Sequence, residues 1–568
     1  MQLIDRPIPG DALQRLLAAR IPPALARLYA ARGVTQLEQL DYRLQQLPDF
    51  TRMKGAAAAG QLLADCLQQG KRILIIADYD ADGATACAVA VRGLRMLGGI
   101  VDFLVPNRFE YGYGLTPEIV ELAAERLPDL LVTVDNGIAS LDGVAAAQAR
   151  GLPVLITDHH LPGPQLPEAA AIVNPNQPGC DFPSKAMAGV GVMFYVLLAT
   201  RAALRERGHF TPENQPNLAT LLDLVALGTV ADVVPLDALN RCLVYQGLRR
   251  MRAGQACSGI RALAEAAGRS LDFAGHYELG FVLGPRLNAA GRLEDMTIGI
   301  QCLLSDDPAQ TRRWASELEQ LNQARKDIEA DMQEVALNRV DLEQLGQQHS
   351  IVLYDRDWHQ GVVGLLAGRL KERFHRPTLV FARGQDGLLK GSGRSIAGFH
   401  LRDALDWVSK QHPDLLHKFG GHAAAAGLTL AEADFPRFAA CFEDVAQQWL
   451  QPAQLQRQLE TDGTLPPHEL TLPLAEALES QVWGQGFAEP VYRGYFRVSS
   501  QRVVGERHLK LQLTSADGQA FDAILFNQVD FLPDRISIAY RISINRYAGR
   551  SRLQLVVQQW QSAESMPQ

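Results

Sequence analysis

The chain has 568 residues, 47% of them hydrophobic and 21% charged, and a formal net charge of −8. That is the make-up of a globular protein of roughly three or four domains, and the acidic balance means that any nucleic-acid site must be a local basic groove. Seven scattered cysteines with no Cys-x-x-Cys spacing argue against a disulfide frame or a cysteine metal site and for a reducing compartment. The N-terminal residues have no signal-peptide core. The apolar run from Ala186 to Thr200 is too short to span a bilayer. A cytoplasmic protein without membrane contact is expected.

In chain order, residues 1–50 read as a helical segment without chemistry, with Pro22 and Pro23 opening one helix. Residues 51–265 alternate apolar runs with Ala-rich helical stretches, as βαβ units do. The run Ile73–Ala77 ends in Asp78, Asp80 and Asp82, and reads as a buried parallel strand closed by carboxylates. Leu130–Val134 ends in Asp135, and Pro153–Thr157 in Asp158, His159 and His160. Leu224–Asp232, a fourth apolar run closed by a carboxylate, suits a helix. Residues 266–345 form a helical connector whose long amphipathic helix, about 50 Å if unbroken, is expected to join two catalytic lobes. A second α/β lobe covers 346–455, with strands at Ser350–Tyr354 and Pro377–Phe381 and a helix from Gly361 to Phe374. Residues 456–568 comprise a linker and a β-rich module with a hairpin turn at Ala548-Gly549. Between 491 and 560 ten Lys and Arg face five Asp and Glu, so this module carries +5 and the remaining chain −13. A basic β-barrel on an acidic body points to an OB-type platform for single strands.

Carboxylates at the ends of parallel strands sit where open α/β sheets bind ligands. So many close together need a cation between them. Oxygen ligands and one imidazole suit two Mn²⁺ or Mg²⁺ ions better than Zn²⁺. Two such ions can together activate a water and neutralise developing negative charge. Arginines suit backbone phosphates, through planar bidentate contacts. Arg286 and Arg292 flank Asn288 in a stretch that reads as a glycine-bounded loop, and Ser392, Arg394 and Ser395 lie between glycines. Gly420 and Gly421 allow backbone N–H groups to approach a phosphate, with His422 beside them.

Asp78-Tyr-Asp80-Ala-Asp82-Gly83, Asp135-Asn-Gly137, Asp158-His159-His160 and Asp232 resemble the four ordered motifs of the DHH phosphoesterase superfamily. Phe419-Gly420-Gly421-His422 with Ser392-Gly-Arg394-Ser395 resembles its companion DHHA1 domain. Gly284-Pro-Arg286-Leu-Asn288-Ala-Ala-Gly291-Arg292 and the β-rich module make the whole chain similar to the branch of bacterial single-strand-specific exonucleases. The resemblance implies two α/β lobes, DHH with a parallel sheet and then DHHA1, joined by a long helix and followed by an OB-type barrel. It implies one metal on Asp78, Asp80 and Asp135, and another on Asp82, Asp135, His159 and Asp232. Asp82, Asp135 and His160 are then the catalytic residues, His160 facing the phosphate. Ile76 stands where many members carry a histidine, and Asp78 is its substitute. Arg108 belongs to a substrate loop, with Tyr111 and Tyr113 there either to stack on bases or to pack, and joins Ser392 and Arg394 as candidates for a terminal-phosphate pocket. The expected activity is 5′-to-3′ degradation of single-stranded DNA to 5′-mononucleotides in repair and recombination. The expected protein is a monomer, with a single-strand-binding protein and a helicase as partners. The alternatives are an oligoribonuclease or small-nucleotide phosphoesterase of the same superfamily, and a non-catalytic strand-binding scaffold.

Overall fold

The computed structural model describes residues 2–107, 111, 113–341, 345–384, 386–547 and 549–563. Two compact units divide the chain: Asp5–Glu319 with Glu460–Gln568, and Met1–Ile4 with Gln320–Leu459. A short strand β1 (Gln2–Asp5) pairs with β12 (Gln458–Thr461).

The first unit is built on a parallel sheet of β2 (Arg72–Ala77), β3 (Ile100–Leu104), β4 (Leu130–Val134), β5 (Val154–Thr157) and β6 (Ala171–Val173), in the order β3-β2-β4-β5-β6. Its central strands are buried on both faces, which is why they are unbroken apolar runs rather than alternating ones. One face carries Leu74, Ile76 and Leu131 against the helices Pro117–Ala124 and Leu141–Ala149. The Ala81–Met96 helix follows β2 and packs on the helices Gly189–Glu206 and Leu222–Ala231. It is buried along nearly its whole length, and its small residues allow the close packing: a Cβ at Gly93 would stand 2.2 Å from Leu197. Chain order reverses between β2 and β4, because β3 lies on one side of β2 and β4 on the other. Ligands bind at such a switch point.

The same unit holds a closed barrel of β13 (Tyr492–Val504), β14 (His508–Thr514), β15 (Ala520–Leu525), β16 (Arg535–Tyr547) and β17 (Arg550–Ser562). Gly549 turns the β16–β17 hairpin at φ +74°, while Ala548 lies outside the described residues. The barrel is seated on the N-terminal helices. The Arg32 guanidinium, 2% exposed, donates to both oxygens of buried Asp462 at 2.8 and 2.9 Å. Tyr29 packs against Trp483 and Phe487, and Arg241 lies 4.1 Å from the Phe487 ring centroid. The segment read as chemically silent is the barrel's foundation, and its helix does open at Pro23.

The second unit has a mixed sheet of β7 (Ile351–Tyr354), β8 (Thr378–Arg383), β9 (Leu389–Arg394), β10 (Lys418–Gly421) and β11 (Ala425–Leu430), in the order β10-β11-β9-β8-β7. The Val363–Phe374 helix covers β8 and β9 on one face. Phe381, Phe399, Phe438 and Phe442 fill the core on the other. The long helix spans Pro308–Arg339, 32 residues. Two α/β lobes, a long helix and an OB-type barrel are thus all present.

Candidate metal centre and nucleic-acid surfaces

Strand register builds the centre. Ala77 of β2 pairs with Val134 of β4, and Val134 with Thr157 of β5. The next residue on each strand is Asp78, Asp135 and Asp158, so three carboxylates leave the sheet side by side. Asp80 caps the Ala81–Met96 helix, accepting from the Gly83 amide at 2.9 Å, and Asp82 lies in its first turn. The buried Asp82 carboxylate accepts from the amides of Gly189 and Val190 at 2.6 and 2.9 Å, at the start of another helix. Asp232 ends the Leu222–Ala231 helix. Oxygen atoms of Asp78, Asp80 and Asp135 come within 4.8 Å of one another, as do ligand atoms of Asp82, His159 and Asp232. A third overlapping group is Asp135 with His159 and His160.

This arrangement fits divalent cations. Asp135 Oδ1 and His159 Nε2 are buried, 3.1 Å apart, and among the described residues neither has a hydrogen-bond partner, a state that a shared cation would relieve. Burial, then repulsion from Asp82 and Asp80, pushes the Asp135 carboxyl well above the usual range. Burial and the same carboxylates raise Asp232. Burial and Asp80 push Asp82 up to about 7. His159 is pushed down to about 4 by burial and by His160, so it is neutral and offers a lone pair. A Cβ at Gly189 would stand 2.6 Å from Asp135 Oδ1, so only glycine lets that helix approach. Ile76, in the place of a histidine, is fully buried in the sheet core.

Several positioning roles were not assigned from sequence. Asp158 accepts from the His160 ring at 2.7 Å and from the amides of His159, His160 and Ile138. Burial lowers the His160 pKa, but the Asp158 bond and charge outweigh it and push it up to about 9. Asn136 ties β2 to β4 by donating to the carbonyls of Ile76 and Val134. Asn174 and Asn176 hold the carbonyls of His160 and His159 at 2.9 and 2.7 Å. The Tyr113 hydroxyl reaches the Asp135 carbonyl at 3.3 Å and His160 Nδ1 at 3.2 Å. Arg108 lies outside the described residues.

The Arg286–Arg292 stretch is not a loop. It lies in a helix, Gly284–Leu293, because Pro285 suits a helix start and Leu-Asn-Ala-Ala continues it. Its glycines serve packing: a Cβ at Gly291 would stand 1.9 Å from the Tyr79 carbonyl oxygen. Arg286 is buried, with Nε 2.5 Å from Glu319 and a hydrogen bond to the Val282 carbonyl. Asn288 accepts from the Ala81 amide at 2.8 Å, so this helix braces the acidic loop. Arg292 is half-buried on the same helix.

In the second unit, Gly420, Gly427 and Ser392 form one row across β10, β11 and β9. Lys418, Thr429 and Lys390 form the next row. A Cβ at Gly420 would meet nothing within 4 Å, so the row is an open floor over which backbone can meet a ligand. Arg394 Nη1 lies 3.3 Å from Ser392 Oγ and donates to Gly393 O at 2.8 Å, while the Ser395 hydroxyl donates to the Phe399 carbonyl. Gly421 has φ +139°, and the His422 amide donates to Ala425 O at 2.8 Å. Gly427 carries no recognisable motif and shows only through strand register. On the barrel, a cleft of about 790 Å³ is lined by Arg502, Lys510, Arg550, Arg552, Asn545 and Tyr547, with Asp522 the carboxylate among the lining residues.

A parallel sheet with paired acidic sets at its switch point, a second glycine-floored α/β lobe and a closed barrel define a phosphoesterase of the DHH class. Residues 72–229 match the DHH family N-terminal domain, 347–448 the DHHA1 domain and 461–559 the RecJ OB domain. The chain is 51% identical to the single-stranded-DNA-specific exonuclease RecJ of Dickeya dadantii, over 95% of this chain and 96% of that one. It is similar to the crystal structure of Thermus thermophilus RecJ in complex with Mn²⁺, at TM-score 0.83 and 33% identity over 100% of this chain and 80% of that one. The Mg²⁺ complex of the same protein gives TM-score 0.77 at 32% identity, over 100% and 79%. The chain belongs to the RecJ family.

Proposed function

We propose that this protein is a two-metal exonuclease that degrades single-stranded DNA 5′ to 3′ to 5′-mononucleotides, in DNA repair and recombination. The observation that carries the reading is the convergence of Asp78, Asp80 and Asp135 with Asp82, His159 and Asp232, from the ends of β2, β4 and β5, the start of the Ala81–Met96 helix and the end of the Leu222–Ala231 helix. These residues would hold two Mn²⁺ or Mg²⁺ ions, which supply an activated water and neutralise phosphate charge. Asp135, grouped with Asp78 and Asp80 and 3.1 Å from His159, would serve as a ligand to both.

The remaining work falls to side chains. Asp158 keeps His160 protonated at neutral pH, so His160 presents a cation to a non-bridging phosphate oxygen or donates its proton to the leaving group. Neutral His159, held in the same turn, is kept for ligation. Asn288 and Gly291 hold the acidic loop against the Gly284–Leu293 helix, and Arg286 stiffens that helix from within. Arg292 faces the strand as a backbone clamp. Ser392, Arg394 and the Gly420-Gly421-His422 edge grip backbone phosphate, and Arg108, outside the described residues, is assigned the same task. The barrel's basic cleft binds the strand away from the reacting bond. The protein acts as a cytoplasmic monomer alongside a single-strand-binding protein and a helicase. The five-part division of the chain, with boundaries near residues 50, 265, 345 and 455, belongs to the same reading.

Asp82→Ala and His159→Ala test it. Each removes a ligand while leaving the barrel cleft intact. Hydrolysis should be lost and strand affinity retained on the same preparations. Activity that survives with full Mn²⁺ dependence would remove these residues from the site.

A further inference from the structure

A short surface segment of the first unit joins the barrel to the acidic centre and is rich in exposed rings. Phe273, Tyr277 and Phe281 are 55%, 48% and 68% exposed. Tyr277 and Phe281 stack on each other, with centroids 5.5 Å apart and planes 22° from parallel. Three large rings within nine residues form a patch of the kind that marks an interaction site. The backbone there is unusual as well: Glu278–Leu283 is a π-helix, a form that accumulates at functional sites.

The segment is fixed at both ends. On the catalytic side, a Cβ at Gly280 would stand 3.4 Å from Val230 and one at Gly284 would stand 3.0 Å from Ala231, the residue before Asp232. The helix that follows braces Ala81 through Asn288. On the barrel side, the Arg546 guanidinium of β16 lies 3.8 Å from the Phe273 ring centroid. Between the segment and β16 lies a cavity of about 400 Å³, lined by Phe273, His276, Tyr277, Trp483 and Arg546 among others. Its carboxylates are already engaged: Glu278 by the Gly275 amide, Glu479 by Arg546 and Glu489 by Arg541. A ligand there meets aromatic faces and mostly paired charges, with Arg269 also in the lining. That suits an uncharged nucleobase with its phosphate turned outward better than it suits a bare anion. The alternate residues Asn545 and Tyr547 line the basic cleft on the other side of the same strand.

We propose that Phe273, Tyr277 and Phe281 form a base-stacking rail, carrying unpaired bases of single-stranded DNA between the barrel and the acidic centre. The proposal rests on the nuclease reading above. Stacking on aromatic rings is tolerant of sequence and adds affinity at each base. It adds no phosphate contact, so it leaves the salt dependence of binding untouched. Those two properties separate a rail from another basic patch.

The test measures affinity for a 20-nucleotide single strand, and for the same strand with abasic positions, across a salt series in EDTA. The proteins are wild type, Tyr277→Ala/Phe281→Ala, Tyr277→Leu/Phe281→Leu and Tyr277→Phe/Phe281→Tyr. Both ringless pairs should bind the normal strand about tenfold more weakly. The slope of affinity against salt should be unchanged, and all four proteins should bind the abasic strand alike. The ring-keeping pair should match wild type, showing that the segment tolerates substitution. Wild-type affinity in the ringless pairs would overturn the proposal. So would an equal loss on the abasic strand, or full retention by the leucine pair, which would indicate apolar contact without ring stacking. A wild-type protein that neither binds nor cuts the normal strand with Mn²⁺ would instead overturn the nuclease reading and the rail with it.

Discussion

Asp135 is held at φ +62°, a left-handed backbone that costs a residue with a side chain roughly 1–2 kcal/mol. Its carboxylate is buried beside Asp82, Asp80, Asp78 and Asp232. Without metal, this cluster opposes folding, and the sign follows from the shifts. Folded-state carboxyls raised above their unfolded values favour the folded state below about pH 4 and lose that contribution as pH rises through the folded values. Asp82, at about 7, extends the window to neutrality. The rise in melting temperature on replacing EDTA with Mn²⁺ should therefore be larger at pH 8 than at pH 5. Asp232→Asn should stabilise the metal-free protein at pH 8 and shrink the Mn²⁺ shift. A shift independent of both pH and Asp232 would place the ions elsewhere. The aspartates were legible in the sequence because each ends an apolar run, a signal of period and charge alone. The supporting roles of Asp158, Asn136, Asn174 and Asn176 were not. They act on backbone carbonyls and amides of other strands, and only register reveals which ones. Gly427 was hidden for the same reason.

Among elements, the barrel and its seat make the clearest case. Arg32 and Asp462 are 430 positions apart and form a buried bidentate pair. Arg32→Ala should cost about 3 kcal/mol, because it leaves the Asp462 carboxylate with the Val491 amide at 3.0 Å and a longer 3.4 Å contact to Arg6 in place of a bidentate pair. Thermal melting should show a drop of several degrees, only partly restored by Arg32→Lys, whose ammonium cannot bridge both oxygens. An unchanged melting curve would mean that the barrel is held by its aromatic contacts alone. Deleting the barrel would expose Trp483 and Phe487 beneath Tyr29, so charge reversal probes its role better. Arg550→Glu with Arg552→Glu should weaken single-strand binding and flatten its salt dependence by about two phosphate contacts. Unaltered salt dependence would mean that this face does not meet the strand. Strands and long helices were legible from their periods. The helix Gly284–Leu293 was not, because Gly284, Pro285 and Gly291 read as a loop. Their true constraints, a helix start and contact with Tyr79, come from tertiary packing.

On the scale of the whole molecule, charge is divided in the way the activity needs. A body of −13 concentrates carboxylates where cations are to be held, and a module of +5 offers a place for the phosphate chain. At this scale the acidic centre hydrolyses single strands from one end. The most direct measurement is the product pattern from single-stranded DNA labelled at its 5′ or its 3′ end, with Mn²⁺ or Mg²⁺ and with EDTA, beside a blunt duplex of the same sequence. Labelled mononucleotide should be released at once from the 5′-labelled strand, and the 3′-labelled strand should shorten progressively. The duplex should stay intact, and EDTA should abolish all cutting. Internal fragments, mononucleotides released first from the 3′ end, or cutting that persists without metal would contradict it.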